Sequence, residues 1–316
     1  MRCCKRWIWM GVMIPVVAAA AFIAGCGGGG SSSGTDGGGS SDGSGTGSSK
    51  VSAKPKKFEE RGTISGRIVV KNFKDKDVQD DLKAKSEKQL DTMKSNPDFK
   101  PCHTAVDEEE VAEQSWTIGD DGGLQNVVVW LSPPEDHYFQ LNKDDLDADK
   151  AGWEKEKVLD QPHCQFHPHV MVLFQSYRDE SGKKQKTVQK AIVRNSAGTD
   201  HNTKIDAVGF NTLLSQGEKG KKGTDLPALD PSEKKNYAVN CNVHTWMGGF
   251  IWSFDHPFAA VTDKDGKYTI KNAPAGSEVR LMVWHEKLGK IKDGEKITIK
   301  KDEDKKLDDI SVEYKK

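Results

Sequence analysis

The sequence lacks an excess of charge of either sign. It contains 47 lysines and arginines against 48 aspartates and glutamates, so it presents no overall positive field for nucleic acid. It also lacks a G-x-x-x-x-G-K-[ST] loop and a Cys-x-x-Cys-His motif. These absences argue against a nucleic-acid-binding protein, a P-loop nucleotide enzyme and a c-type haem protein.

Long hydrophobic runs are scarce, and the one exception lies at the N-terminus. Basic residues at positions 2, 5 and 6 precede an uncharged, apolar run over residues 7–24, and Cys26 follows Gly25. A basic start, an apolar stretch and small residues before a cleavage point are typical of an export signal. The ending resembles a bacterial lipobox, which implies a signal peptide over residues 1–25 and a lipid on Cys26.

An uncleaved membrane anchor is the alternative interpretation, because an apolar run of 18 residues can just span a bilayer. In both interpretations the rest of the chain lies outside the cytoplasm, held at the cell envelope on the periplasmic side or the outer surface. Residues 27–49 are nearly all glycine and serine. We therefore expect residues 26–57 to comprise the lipidated Cys26 and a flexible tether, of which residues 27–49 alone have a reach of roughly 25–30 Å.

Cysteine is also sparse in the remaining chain. Of the six cysteines, two leave with the signal peptide and Cys26 carries the lipid, so Cys102, Cys164 and Cys241 remain. An odd number of cysteines in an exported protein leaves one thiol to be explained. No spacing decides the pairing, but the surroundings of Cys241 favour a Cys102–Cys164 disulfide.

The strongest signal lies between residues 236 and 254. Apolar residues alternate over residues 237–241 and again over 250–254, which predicts two strands. Cys241, His244 and Met247 then share one short loop. A thiolate, an imidazole and a thioether are ligands that suit copper. A fourth candidate, His201, follows a predicted strand over residues 187–194.

These motifs resemble those of the cupredoxins, the plastocyanin-like blue copper proteins. Asp200-His201-Asn202 resembles the segment of the first ligand, and Cys241-x-x-His244-x-x-Met247 resembles the ligand loop, with the short spacing of amicyanins. Residues 165–170 resemble an early strand of that family. The resemblance covers residues 160–255 and implies an all-β, Greek-key β-sandwich. It also implies one type 1 copper, held by His201, Cys241, His244 and Met247.

In that family, the asparagine after the first histidine ties the two ligand loops together, and Asn202 occupies this position. Because four protein ligands leave no open position, we expect one-electron transfer with a redox partner protein rather than catalysis. We expect His244, beside Trp246, to be the exposed electron port. A dinuclear copper site is excluded because only one cysteine is near.

Two other classes of function stay open. One is a carbohydrate- or protein-binding β module in which copper is absent or structural, and the other is an oxidoreductase with a more open copper. The histidines at 163, 167 and 169 offer a second zinc or copper site as a minor alternative.

The flanking regions are predicted to be β-rich. Residues 58–135 form an N-terminal β region in which apolar spacing predicts a surface helix over residues 75–93. Turn signals at Asp265-Gly266 and Pro274-Ala-Gly276 separate strands in the C-terminal module, residues 256–316. Residues 258–285 resemble a carboxypeptidase regulatory-like module, a small β-sandwich without a catalytic role, which strand 62–70 would complete.

Overall fold

The computed structural model describes residues 53–103, 113–216 and 223–316, all within one compact unit, Lys50–Lys316. The expected signal peptide, the lipidated Cys26 and all but the last residues of the tether lie outside the described residues. As the sequence predicts, the protein is mostly β. In the part of the chain that the structure describes, no helix is both long and apolar enough to cross a membrane.

The strands, numbered along the described chain, are β1 Lys54–Lys57, β2 Glu60–Val70, β3 Val128–Ser132, β4 His137–Gln140, β5 Glu156–Leu159, β6 Val170–Leu173, β7 Ser176–Arg178, β8 Lys184–Lys186, β9 Lys190–Val193, β10 His201–Ile205, β11 Phe210–Leu214, β12 Thr224–Asp225, β13 Tyr237–Asn240, β14 Gly248–Ser253, β15 Ala259–Val261, β16 Lys267–Ala275, β17 Glu278–His285, β18 Gly289–Thr298, β19 Asp304–Lys306 and β20 Ile310–Val312. The helices are α1 Lys76–Lys94, α2 Phe99–His103, α3 Lys143–Leu146 and α4 Ala148–Ala151, with a 3₁₀ turn at Asp206–Val208.

One pair of sheets combines the two ends of the described chain. Strand β2 pairs with β16, β19 and β20, while β3 lies between β15 and β17, and β18 forms the edge. Alternate residues of β2, including Ile64 and Ile68, point into a core shared by both sheets. The segments 58–135 and 256–316, which are distant in sequence, therefore share their sheets, and strand 62–70 pairs with C-terminal strands.

A second pair of sheets comes from the middle of the chain. The larger sheet has the order β11-β10-β13-β14-β6, and the smaller has the order β12-β9-β5. Both contribute to one core, since Leu159 and Val193 of the smaller sheet pack with Met171, Val239 and Ile251 of the larger. This two-sheet body supplies the loop between β13 and β14.

Aromatic side chains pack between these bodies. Trp130 on β3 and Trp252 on β14 are both fully buried, with ring centroids 5.0 Å apart, and Trp284 on β17 contacts Trp252 at 5.4 Å. Aromatic pairs of this kind add to the free energy of burying their area. The strand that follows the loop of residues 241–247 is therefore anchored to the first pair of sheets.

Helix α1 connects the two cores. It matches the predicted helix over residues 75–93 to within one residue, and most of its charged residues are exposed, as expected. However, its buried residues belong to different cores: Val78 packs in the first core and Met93 in the second. A helix of 19 residues spans about 28 Å, so α1 carries the chain from one body to the other.

Candidate metal centre

The loop between β13 and β14 has the predicted position and carries Cys241, His244 and Met247. Its backbone closes on itself, because the Met247 amide donates to the His244 carbonyl at 2.9 Å and the Cys241 amide to the Met247 carbonyl at 3.4 Å. This tight turn places the first two side chains on the same buried side.

His201 reaches the same point from a neighbouring strand. As the sequence predicts, it follows the strand that is β9, and it is itself the first residue of β10. His201, Asn202 and Thr203 pair with Leu214, Leu213 and Thr212 of β11, which fixes this end of the strand. Strand β10 also pairs with β13 through Lys204 and Asn240, and this contact brings His201 beside Cys241.

Three candidate ligand atoms therefore converge in the interior. His201 Nδ1 lies 2.9 Å from His244 Nδ1 and 4.0 Å from Cys241 Sγ, and all three residues are buried. Metal–nitrogen bonds of about 2.0 Å and metal–sulfur bonds of about 2.3 Å are typical of such ligands. The measured separations are short enough for a single ion to contact all three atoms, so the donor set fits a metal.

Asn202 ties the two ligand segments together, in the role that the resemblance implies. Its Oδ1 accepts a hydrogen bond from the Asn242 amide at 2.6 Å and from the Cys241 thiol at 3.3 Å. The His244 amide also points at Cys241 Sγ, at 3.4 Å. Hydrogen bonds around a ligand sulfur orient it and tune the metal.

Met247 lies in the same buried core cluster as Cys241. It is 1 % exposed, so solvent does not compete for its sulfur. The distances that define the three-atom cluster involve His201, Cys241 and His244 only. An axial role for Met247 remains a prediction from the sequence.

Sequence reasoning missed Asp98. This residue lies between α1 and α2, and its Oδ2 is 3.1 Å from His244 Nε2. The carboxylate accepts a hydrogen bond from Nε2–H, so the Nδ1 lone pair of the neutral ring is directed toward His201 and Cys241. Asp98 therefore orients His244 as an outer carboxylate orients a metal-binding histidine.

The contact between Asp98 and His244 also shows that the prediction of His244 as an exposed electron port was wrong. His244 is expected from sequence to be exposed, but its side chain is fully buried. The segment between α1 and α2 covers its outer edge with Asp98. The Cys102–Cys164 sulfurs also lie within 4.8 Å of a His244 ring nitrogen.

The electrostatics of the site keep both imidazoles neutral. Burial, reinforced by the nearby His244, lowers the pKa of His201 to about 3. Burial also lowers the pKa of His244, although the hydrogen bond with Asp98 opposes this effect. At pH 7 neither ring has to lose a proton before it can bind a metal ion.

The cysteines pair as the sequence favours, with Cys102 bonded to Cys164 and Cys241 free and buried.

We expect one cysteine of the metal-free fragment 50–316 to react with a thiol reagent after unfolding without reductant, and three cysteines to react after reduction. The folded protein should react slowly, because Cys241 is only 3 % exposed. Two additional thiols in the unreduced, unfolded protein would contradict the pairing.

The minor alternative of a second site at residues 163–169 finds no support from the geometry. His169 Nε2 pairs with Glu286, whereas His167 is exposed. Among the described residues, the groupings of three histidine, cysteine or acidic residues at metal-binding distance include none of His163, His167 and His169. The second such grouping consists of His244 and the two disulfide cysteines, whose sulfurs are bonded to each other.

Comparison with known proteins identifies no relative. No family model matches the chain, and no curated protein matches it. Any assignment of function therefore depends on the residues themselves.

Proposed function

We propose that this protein transfers single electrons through one type 1 copper ion held by His201, Cys241, His244 and Met247. The observation that carries the proposal is the convergence of two imidazole Nδ1 atoms and one thiol in a buried cluster. Nitrogen and sulfur ligands of this kind, combined with a weak thioether, are the set that favours blue copper.

The protein's own residues hold the donor atoms in place before any metal arrives. Asn202 fixes the Cys241 sulfur, Asp98 fixes the His244 ring, and burial keeps both imidazoles in the neutral form. Copper bound here would supply a one-electron couple between Cu(II) and Cu(I). A preformed, buried site limits rearrangement between these states and excludes water, which favours electron transfer over catalysis at the metal.

The cupredoxin resemblance supplies the proposed fold of the middle segment, a Greek-key β-sandwich. The two sheets from residues 156–253 and their shared core support this proposal. For the flanking strands we propose a carboxypeptidase regulatory-like sandwich. The pairing of β2 with β16 supports it.

The proposed location is the cell envelope, with a lipid on Cys26 and the folded unit outside the cytoplasm. The Cys102–Cys164 disulfide supports an oxidising compartment, because such bonds persist mainly in exported proteins. The proposed partner is a redox protein in the same compartment.

The test is a visible absorption spectrum of the unit 50–316, which forms its own hydrophobic cores. We expect Cu(II) to produce an intense blue band, because the Cys241 thiolate transfers charge to the metal, and we expect ascorbate to bleach it. A Cys241→Ser variant should remain colourless and serves as the control. A colourless parent protein whose Cys241 thiol stays free would instead favour a carbohydrate- or protein-binding module.

A further inference from the structure

The buried position of His244 raises the question of where electrons cross the protein surface. Asp98 and the Cys102–Cys164 disulfide cover the outer edge of its ring. A redox partner therefore cannot touch His244 directly. Because electron tunnelling weakens steeply with distance, a neighbouring group that reaches solvent would provide a shorter route.

Trp246 is such a group. It lies on the ligand loop, its ring centroid is 5.0 Å from that of His244, and it is partly exposed. Its Nε1 donates to the Cys164 carbonyl at 3.1 Å, so the disulfide-linked segment holds the ring in place. One indole therefore connects the metal-binding histidine to the surface.

Trp246 also lines a cavity of about 170 Å³. Three buried polar atoms of residues in this lining, Ser115 Oγ, Gln165 Nε2 and His169 Nδ1, have no hydrogen-bond partner among residues 53–103, 113–216 and 223–316. Buried polar atoms are usually paired, so such a group of atoms marks a place where a ligand can be bound.

The charge of this cavity indicates what it would receive. Its described lining includes the carboxylates of Glu113 and Glu286 and contains no lysine or arginine. Glu286 Oε1 lies against His169 Nε2, and its carboxylate keeps acceptor capacity beyond that one contact. Two carboxylates without a lysine or arginine beside them favour a positively charged donor group, and the Ser115 hydroxyl can accept from it, whereas Gln165 Nε2 is itself a donor.

We infer that Trp246 is the electron port of the metal centre and that the adjacent cavity receives a basic side chain of the redox partner. The inference rests on the proposed copper site. Copper held by His201, Cys241 and His244 would supply a one-electron couple, and the electron released on oxidation from Cu(I) to Cu(II) would cross the Trp246 ring. The one-electron redox group of the partner protein gains that electron, and no proton moves.

The experiment measures the oxidation rate of the Cu(I) protein by two small reagents of opposite charge. Tris(phenanthroline)cobalt(III) is a cation, and hexacyanoferrate(III) is an anion. The Trp246→Leu variant removes the ring, and Trp246→Phe retains an aromatic group. Trp153→Leu is the matched control, because Trp153 is partly exposed like Trp246 but packs on Phe174 and donates to the Asp145 carbonyl.

We expect Trp246→Leu to slow oxidation at least several-fold with both reagents, while the blue band and the reduction potential are retained. Trp246→Phe should fall between this variant and the parent, and Trp153→Leu should match the parent. Unchanged oxidation rates in both Trp246 variants would overturn the assignment of Trp246 as the electron port.

The charge of the cavity is tested with Glu286→Gln, which preserves a hydrogen-bond acceptor for His169. We expect it to slow oxidation by the cationic reagent and not by the anionic one, and added salt should reduce the difference. An unchanged ratio of the two rates would overturn the assignment of a basic partner group. Failure of the parent protein to develop a blue band would overturn the proposed function itself, and the port with it.

Discussion

Replacing His244 by glycine is expected to abolish the blue band of the copper-loaded protein, and added imidazole is expected to restore it. The substitution removes one of three converging ligands and leaves a buried space with the shape of the lost ring. Free imidazole can occupy this space with one nitrogen toward the metal. Its other nitrogen would donate to Asp98, as His244 Nε2 does now. The measurement is a visible titration with imidazole.

Two further variants make this experiment specific. In a His244→Gly/Asp98→Asn double variant, imidazole should bind more weakly, because a hydrogen bond to a charged acceptor contributes more than one to a neutral amide. A His256→Gln variant alters a buried histidine outside the site and should keep the full band without imidazole. Retention of the blue band in His244→Gly alone would show that His244 is not a ligand.

The sequence predicted the parts of the site that are close together in the chain. Alternating apolar residues on both sides of residues 241–247 indicated two strands and a loop, and these are β13 and β14. The period of Val78, Leu82, Leu90 and Met93 indicated α1. Such patterns are readable because each element must turn one face toward a core.

The surroundings of the site could not be predicted in the same way. Asp98 contacts His244 across 146 positions of sequence, and His169 meets Glu286 across 117. The first contact depends on how the segment between α1 and α2 packs on the second core, the second contact depends on how the two bodies pack, and no local period encodes either packing. The burial of His244 follows from the Asp98 contact, so the expectation of an exposed port was wrong for the same reason.

Removing the Cys102–Cys164 disulfide is expected to lower the free energy of unfolding by about 4 kcal/mol, the cost of closing a loop with a sequence separation of 62. That is a large share of the stability of an ordinary domain. The measurement compares urea unfolding of the parent with a Cys102→Ala/Cys164→Ala variant, using the shift in midpoint. Reduction of the parent by a dithiol is the control, because it opens the loop without removing the sulfur atoms from the core.

The Cys102→Ala/Cys164→Ala variant also tests whether the disulfide holds the segment between α1 and α2, which covers the candidate metal centre, in place. Cys102 follows Asp98 by one helical turn, so opening the bond frees the segment that places the carboxylate on His244. In a His244→Gly background we therefore expect imidazole to enter faster and to bind less tightly once the disulfide is absent. Equal entry rates with and without the bond would mean that packing of Met93 and Phe99 on the second core holds the cover by itself. In that case the disulfide would contribute to stability alone.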